Sequence, residues 1–207
     1  MTAIGLFGDY FGVYCAAPVA DARADEGDGD RRAMERLARG DVDALGELYD
    51  RHHAAVRRLA ARMSAGAEDG DDIVHATFLN AMKSAGTFEP HRSVRAWLLG
   101  IAARLMQRQR TQGARWARLL RASFRPAEPA WTSDPERALA AREGLTQVER
   151  ALAGLAEPKR LVLIMAEVEG LSGEEIAEAL EIPVGTVWTR LHHARRELSA
   201  ALHEGPE

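Results

Sequence analysis

The sequence predicts an all-α fold of two small helical domains, a helical bundle and then a helix-turn-helix, joined by a flexible linker. Three observations carry that expectation. Ala, Leu, Arg and Glu dominate while aromatics make up only 6% of the chain, so summed propensity points to helix almost throughout. Apolar residues recur at helical spacing in segment after segment. A stretch holding Pro126, Pro129 and Pro135 divides those segments into two groups, because proline lacks a donor and restrains the residue before it.

Taken in order, residues 1–32 are rich in Gly and Ala and then strongly acidic from Asp21 to Asp30. Such a composition buries too little surface to offset its ordering entropy and predicts a flexible acidic tail. Phe7, Tyr10, Phe11 and Tyr14 leave a short amphipathic helix as the alternative. The first twenty residues lack a basic start and are broken by glycines, so neither a signal peptide nor a membrane span is expected.

The first domain is expected at 33–112, as three segments parted near Gly66 to Gly70 and Thr87 to Ser93. Leu37, Ala44, Leu45, Leu48, Val56, Leu59 and Met63 form one apolar stripe. Ile73, Val74, Thr77, Phe78, Ala81 and Met82 form the second, and Val94, Trp97, Leu98, Ile101, Ala102 and Leu105 the third. Residues 113–137 form the linker, ending at Asp134-Pro135-Glu136, which looks like a helix start. The second domain follows at 138–204, with stripes on Leu145, Val148, Leu152 and Leu155, then Leu161, Val162, Ile164 and Met165, then Ile176, Ala177 and Leu180, then Val187, Leu191, Ala194 and Leu198.

Net charge is −4, which by itself argues against a nucleic-acid partner. Its distribution argues the other way. Acid collects in the tail and around Glu68 to Asp72, whereas Arg104, Arg108, Arg110, Arg115, Arg118, Arg121 and Arg125 span a stretch without any acid. A lone Cys15 permits no internal disulfide and no multi-thiolate zinc site, and fits a reducing cytoplasm. His52-His53 and His192-His193 are adjacent pairs whose rings diverge on a helix, with no further ligand at metal spacing. No Gly-rich phosphate loop or nucleophile motif is present. An enzyme, a cofactor and a small-molecule substrate are therefore not expected.

The strongest local signal lies in Leu171-Ser172-Gly173-Glu174-Glu175-Ile176-Ala177. Ser172 with Glu175 three residues on makes a capping box, so a helix starts at Ser172. It runs through Leu180 and stops before Ile182-Pro183, and the next helix starts within Pro183 to Thr186. Two short helices joined so tightly form a helix-turn-helix. Ile176, Ala177, Leu180, Ile182, Val187 and Leu191 would form its hinge core. Trp188, Thr189, His192, His193 and Arg196 would then face a major groove from the second helix, near Thr186 at its start, while Arg190, Arg195 and Arg196 neutralise phosphates. The competing reading is a plain antiparallel helix pair with a solvated basic face.

Glu169-Gly170-Leu171-Ser172, Glu174-Glu175-Ile176-Ala177, Ile182-Pro183-Val184-Gly185-Thr186-Val187, Arg190-Leu191-His192 and Ala194-Arg195-Arg196 together resemble region 4 of extracytoplasmic-function sigma factors. Asp71-Asp72-Ile73-Val74, Thr77-Phe78-Leu79, Phe88-Glu89-Pro90, Arg95-Ala96-Trp97-Leu98 and Ile101-Ala102 resemble region 2 of the same family. The resemblance covers about residues 33–204. It implies a sigma factor whose region 2 binds the clamp helices of core RNA polymerase and melts the −10 promoter element, and whose region 4 binds the β-flap and reads the −35 element. On that reading Asp71, Asp72, His75 and Asn80 contact the polymerase, and Arg104, Arg108, Arg110 and Arg115 contact DNA near the −10 element. Trp97 is either a core residue or a platform for an unpaired base.

The resemblance further implies promoter DNA as a partner, an anti-sigma factor that hides these surfaces, and a cytoplasmic protein held at the membrane when that anti-sigma factor is anchored there. The chain departs from the family at His75-Ala76, at Arg104 and Arg108, and at Trp188 and His193. Its −35 sequence is therefore its own. A helix-turn-helix response regulator would need strands ahead of this unit, and none are expected.

Overall fold

The structure is a computed structural model and describes residues 23–63, 70–123 and 147–203, with side chains over 27–63, 70–111 and 148–203. Its elements are α1 (Arg23–Ala38), α2 (Asp43–Met63), α3 (Gly70–Ser84), a 3-10 turn (Ala85–Thr87), α4 (Val94–Ser123), α5 (Gln147–Gly154), α6 (Glu157–Glu167), α7 (Gly173–Leu180) and α8 (Val184–His203). No strand occurs among the described residues.

Local chemistry sets the helix ends. Gly40 takes φ +92° after α1, and its N–H and that of Asp41 donate to the carbonyls of Leu37 and Arg36, a Schellman stop that needs a residue free of Cβ strain. Asp41 Oδ1 accepts from the Asp43 N–H at 3.0 Å to open α2, and Ser93 Oγ accepts from the Ala96 N–H at 3.2 Å to open α4. The stripe read as one segment from Leu37 to Met63 is thus two helices, divided at Gly40.

Helices α1 to α4 enclose one core. Leu48, Val56, Leu59 and Met63 of α2 meet Ile73, Val74 and Phe78 of α3 and Leu98 and Ala102 of α4, with Met34 of α1 closing the side. Each large side chain removed from water contributes about 1.5–3 kcal/mol. Helices α5 to α8 build the second unit, where Val187, Leu191, Ala194 and Leu198 of α8 present one buried stripe to Val162, Ile164 and Met165 of α6 and Ile176 of α7.

The boundaries differ from the sequence expectation in two places. Residues 23–32, assigned to the flexible tail, continue α1. The physical reason is Asp30, which is buried between His52 Nε2 at 2.7 Å and Arg51 Nη1 at 2.8 Å, so the last acid of the tail is anchored to α2. Residues 113–123, assigned to the linker, continue α4, since Ala, Arg, Leu and Trp sustain a helix. The tail before Arg23, the prolines of the linker and the helix start at Asp134 fall outside the described residues.

Burial pushes the Asp30 carboxyl up, but hydrogen bonds and charge from His52, and then Arg51, outweigh it and hold it below its ordinary value of 3.8. A depressed carboxylate contributes stability that is present above its unfolded pKa and lost as pH falls through the folded one. Asp30→Asn should therefore cost about 1.5–3 kcal/mol at neutral pH, the range for hydrogen bonds to charged groups. The gap from wild type should close as the pH is taken below 3.8. Parallel urea melts at neutral and acid pH measure it, and an equal gap at both would remove this role from the carboxylate.

The two units pack through α4 against α7 and α2 against α6. At Gly100 the backbones of α4 and α7 come close: a Cβ placed there would lie 2.4 Å from the Ala179 carbonyl oxygen. Only glycine allows those two backbones so near.

Candidate nucleic-acid interface

The α7–turn–α8 unit is built by its own residues. Ser172 Oγ accepts from the Glu175 N–H at 3.2 Å and Glu175 Oε2 accepts from the Ser172 N–H at 2.8 Å, so both halves of the capping box form. The far end closes at Glu181, which takes φ 55°. Its N–H donates to Glu178 O at 3.3 Å and the Ile182 N–H to Ala177 O at 3.0 Å, a Schellman pair that turns the chain before Pro183. Helix α8 then starts at Val184, inside the expected window. Ile176, Val187 and Leu191 are buried and Ala177, Leu180 and Ile182 half-buried, the hinge core read from the spacing.

The opposite face of α8 carries the expected side chains. Thr189, His192 and Arg196 are exposed, Thr186, Arg190 and His193 are half-buried, and the two imidazoles meet edge to face at 5.6 Å. Thr189 Oγ1 donates to Gly185 O at 2.8 Å. Arg195 is exposed but engaged, with Nε and Nη2 both on Glu167 Oε1 of α6 at 2.8 and 2.5 Å.

Trp188 is half in and half out, 50% exposed. A Cβ on Gly173 would lie 2.4 Å from its Cζ2, so the indole rests on the first turn of α7 and offers only its remaining surface outward. The spacing of the helix located Trp188; it gave no sign of this seat.

In the first unit the expected DNA contacts divide. Trp97 is buried at 7% exposure, edge-on to Phe88 at 5.2 Å, so in this structure it stands in the core, one of the two places that the sequence leaves open for it. Arg108 is exposed. Arg104 donates to Ala179 O at 3.1 Å and to Glu181 Oε1 at 3.0 Å, while Arg110 pairs with Glu157 Oε2 at 2.8 Å and donates to the Met63 carbonyl. The Arg115 side chain lies outside the described residues.

On α3, Asp71, Asp72 and His75 are exposed. Asp71 pairs with Arg57 at 2.7 Å, and half-buried Asn80 donates to Ala76 O at 2.7 Å. Beside them Leu79 and Met82 are also exposed, so this helix presents a mixed polar and apolar surface. Sequence reasoning missed Glu169, whose side chain is wholly buried and takes Arg58 Nε and Nη2 at 3.1 and 2.9 Å and Arg95 Nη2 at 2.5 Å. Its partners stand 111 and 74 residues away, beyond any local pattern. His52 is committed to Asp30. Among the described residues no three His, Cys, Asp or Glu gather at metal distance.

Residues 48–117 match the family described as Sigma-70 region 2, and residues 145–198 the one described as Sigma-70, region 4. The chain is 33% identical over 190 residues to the RNA polymerase sigma factor CnrH of Cupriavidus metallidurans, covering 87% of this chain and 97% of that protein. It is 27% identical over 188 residues to the ECF RNA polymerase sigma factor SigW of Bacillus subtilis, covering 84% and 97%. A solved structure of CnrH in complex with the cytosolic domain of CnrY superposes with a TM-score of 0.63 at 28% identity, over 86% of this chain and 99% of that one.

Proposed function

The chain belongs to the extracytoplasmic-function sigma factors of the sigma-70 family, and from that premise we infer that it is an alternative sigma factor. It binds core RNA polymerase and directs initiation at specific promoters by recognising −35 and −10 elements. It is not itself an enzyme: it supplies promoter contacts while the polymerase performs phosphoryl transfer. The observation that carries this reading is the capped α7–α8 helix-turn-helix, which falls in the matched region 4 up to residue 198 and lies C-terminal to a four-helix unit of which residues 48–117 fall in the matched region 2.

Residue by residue, we assign −35 readout to Thr186, Trp188, Thr189, His192 and His193, and phosphate contacts to Arg190, Arg195 and Arg196. Arg104, Arg108, Arg110 and Arg115 are assigned to DNA near the −10 element. Asp71, Asp72, His75 and Asn80, with exposed Leu79 beside them, are assigned to the polymerase clamp helices, and the second unit to the β-flap. The functional division is a region 2 domain at 33–112, extended N-terminally by the rest of α1, and a region 4 domain at 138–204.

The CnrH structure was solved with a domain of CnrY; by the same logic this chain is assigned an anti-sigma partner that covers its polymerase and DNA surfaces. Among the described residues no helix is long and apolar enough to cross a membrane. With polymerase and promoter as partners we place the protein in the cytoplasm, brought to the membrane where its anti-sigma factor is anchored.

Run-off transcription with core polymerase tests the function, and a −35 mutation series tests the recognition face. Bidentate arginine on guanine discriminates by about 1–3 kcal/mol, whereas an imidazole offers single contacts and an indole mainly touches methyls and sugars. Trp188→Arg and His193→Arg should each shift base preference, while Arg195→Ala lowers binding to every sequence alike. Identical preferences in wild type and both arginine variants would remove this face from base readout.

A further inference from the structure

One end of the first unit is open. Between the last turn of α1 and the end of α3 lies a depression of about 310 Å3, walled by Leu37, Val42, Met82 and Lys83. A second, of about 370 Å3, opens between α1 and the chain after the 3-10 turn, walled by Met34, Phe88, Pro90, Arg31 and Arg39. Ala38, Ala85 and Gly86 line both, and side chains this small leave the two joined as one groove. Met34 and Leu37 form its buried floor, while Val42 and Met82 stand 63% and 37% exposed at its edge. Large apolar side chains beside a ready concavity mark a surface that something covers.

The rim of the groove is cationic. Arg39 and Lys83 are exposed and form no ion pair among the described residues, and Arg31 engages only its Nε, which donates to Pro90 O at 3.2 Å. Against these three cations the groove sets one carboxylate, Glu35. Its occupant should therefore carry apolar rings and a negative charge.

The chain itself supplies such a segment. Phe7, Tyr10, Phe11 and Tyr14, half of its Phe and Tyr residues, stand just ahead of α1 and recur at helical spacing. Asp9 is the single charged side chain between Met1 and Ala20. Reach allows the match. Nine residues separate Tyr14 from Arg23 and span at most about 30 Å when extended, whereas Met34 stands about 16 Å along α1 from Arg23. A short flexible tether holds its segment at millimolar effective concentration, so even a contact of about 100 μM intrinsic affinity is made in most molecules.

We propose that residues 7–14 of this chain dock in the groove, with their rings over Val42, Met82 and Phe88 and Asp9 toward the cationic rim, as an intramolecular cover for the open end of the first unit. The inference goes beyond the sigma-factor reading and does not depend on it.

Cys15 is the only cysteine and follows Tyr14 directly, so a nitroxide attached there reports where the segment sits. In the full chain it should broaden the amide signals of Val42, Gly86 and Thr87, and Phe7→Ser with Phe11→Ser should reduce that broadening several-fold. Gly86→Phe blocks the groove from the other side. A Cβ at Gly86 meets nothing within 4 Å, so the new ring enters open space where the two depressions join, and it should displace the segment while the amide spectrum of the second unit stays as it is.

Broadening as strong without Phe7 and Phe11 as with them, or surviving Gly86→Phe, would overturn the proposal, since the tether alone would then account for it. No broadening at these amides would overturn it too and leave the groove to a separate partner. Mixing the spin-labelled chain with an isotope-labelled Cys15→Ser chain tests the remaining occupant. Broadening across chains would seat the tail of a second copy in the groove and overturn docking within one chain.

Discussion

Ile176→Ala should lower the stability of the second unit by about 2–5 kcal/mol, the range for removing three buried carbons from a core that relaxes only in part. Ile176 is fully buried and lies one turn after the capping box, where α7 packs on α8. Its loss leaves a void between the two helices whose relative angle sets how α8 enters a groove. Ile176→Val, which keeps most of the volume, should cost only about 0.5–1.5 kcal/mol. Urea denaturation of the full chain measures both. The functional counterpart is a loss of −35-dependent transcription larger than the loss of binding to a −10 fragment. If alanine cost no more than valine, Ile176 would not be the keystone of the hinge.

Gly173→Ala should be destabilising by about 1–3 kcal/mol through overpacking, against the direction that helix propensity alone favours. The new methyl would meet Cζ2, Cη2 and Cε2 of Trp188 at 2.4, 2.7 and 2.9 Å, so the indole must leave its seat on α7. Trp188→Ala in the same chain should recover most of the loss, and a double-mutant cycle should show a coupling energy of similar size. A displaced indole also changes the surface that α8 shows to DNA, so Gly173→Ala should alter −35 preference although Gly173 itself touches no base. Additive effects of the two substitutions would mean that the indole moves freely and that its contact with Gly173 is incidental.

The helix-turn-helix was legible because its information is local. A capping box spans four residues, a proline marks the turn within two, and an apolar stripe repeats every three or four. The structure reproduces the cap at Ser172, the start of α8 at Val184 and the buried positions Ile176, Val187 and Leu191. The first unit was legible for the same reason, down to Trp97 in its core. Composition places residues 23–32 in an acidic tail because acidity commonly marks a solvated segment, whereas the structure continues α1 through them. Asp30 is an acid with a buried, distant partner, and composition carries no record of partners.

By itself the sequence determined the helical class, the two units, the helix-turn-helix and the family, since each follows from propensity, period and motif over short stretches. Only the tertiary structure decided which cations are free. Arg104, Arg108 and Arg110 read alike along the chain, yet Arg108 is exposed while Arg104 and Arg110 are engaged by Glu181 and Glu157. It also decided that Glu169, an ordinary acid in the sequence, is a buried anchor for Arg58 and Arg95, and that Gly100 marks where the two units touch. Charge pairs and backbone contacts between units depend on distances in space between residues far apart in the chain, and a one-dimensional period holds no trace of them.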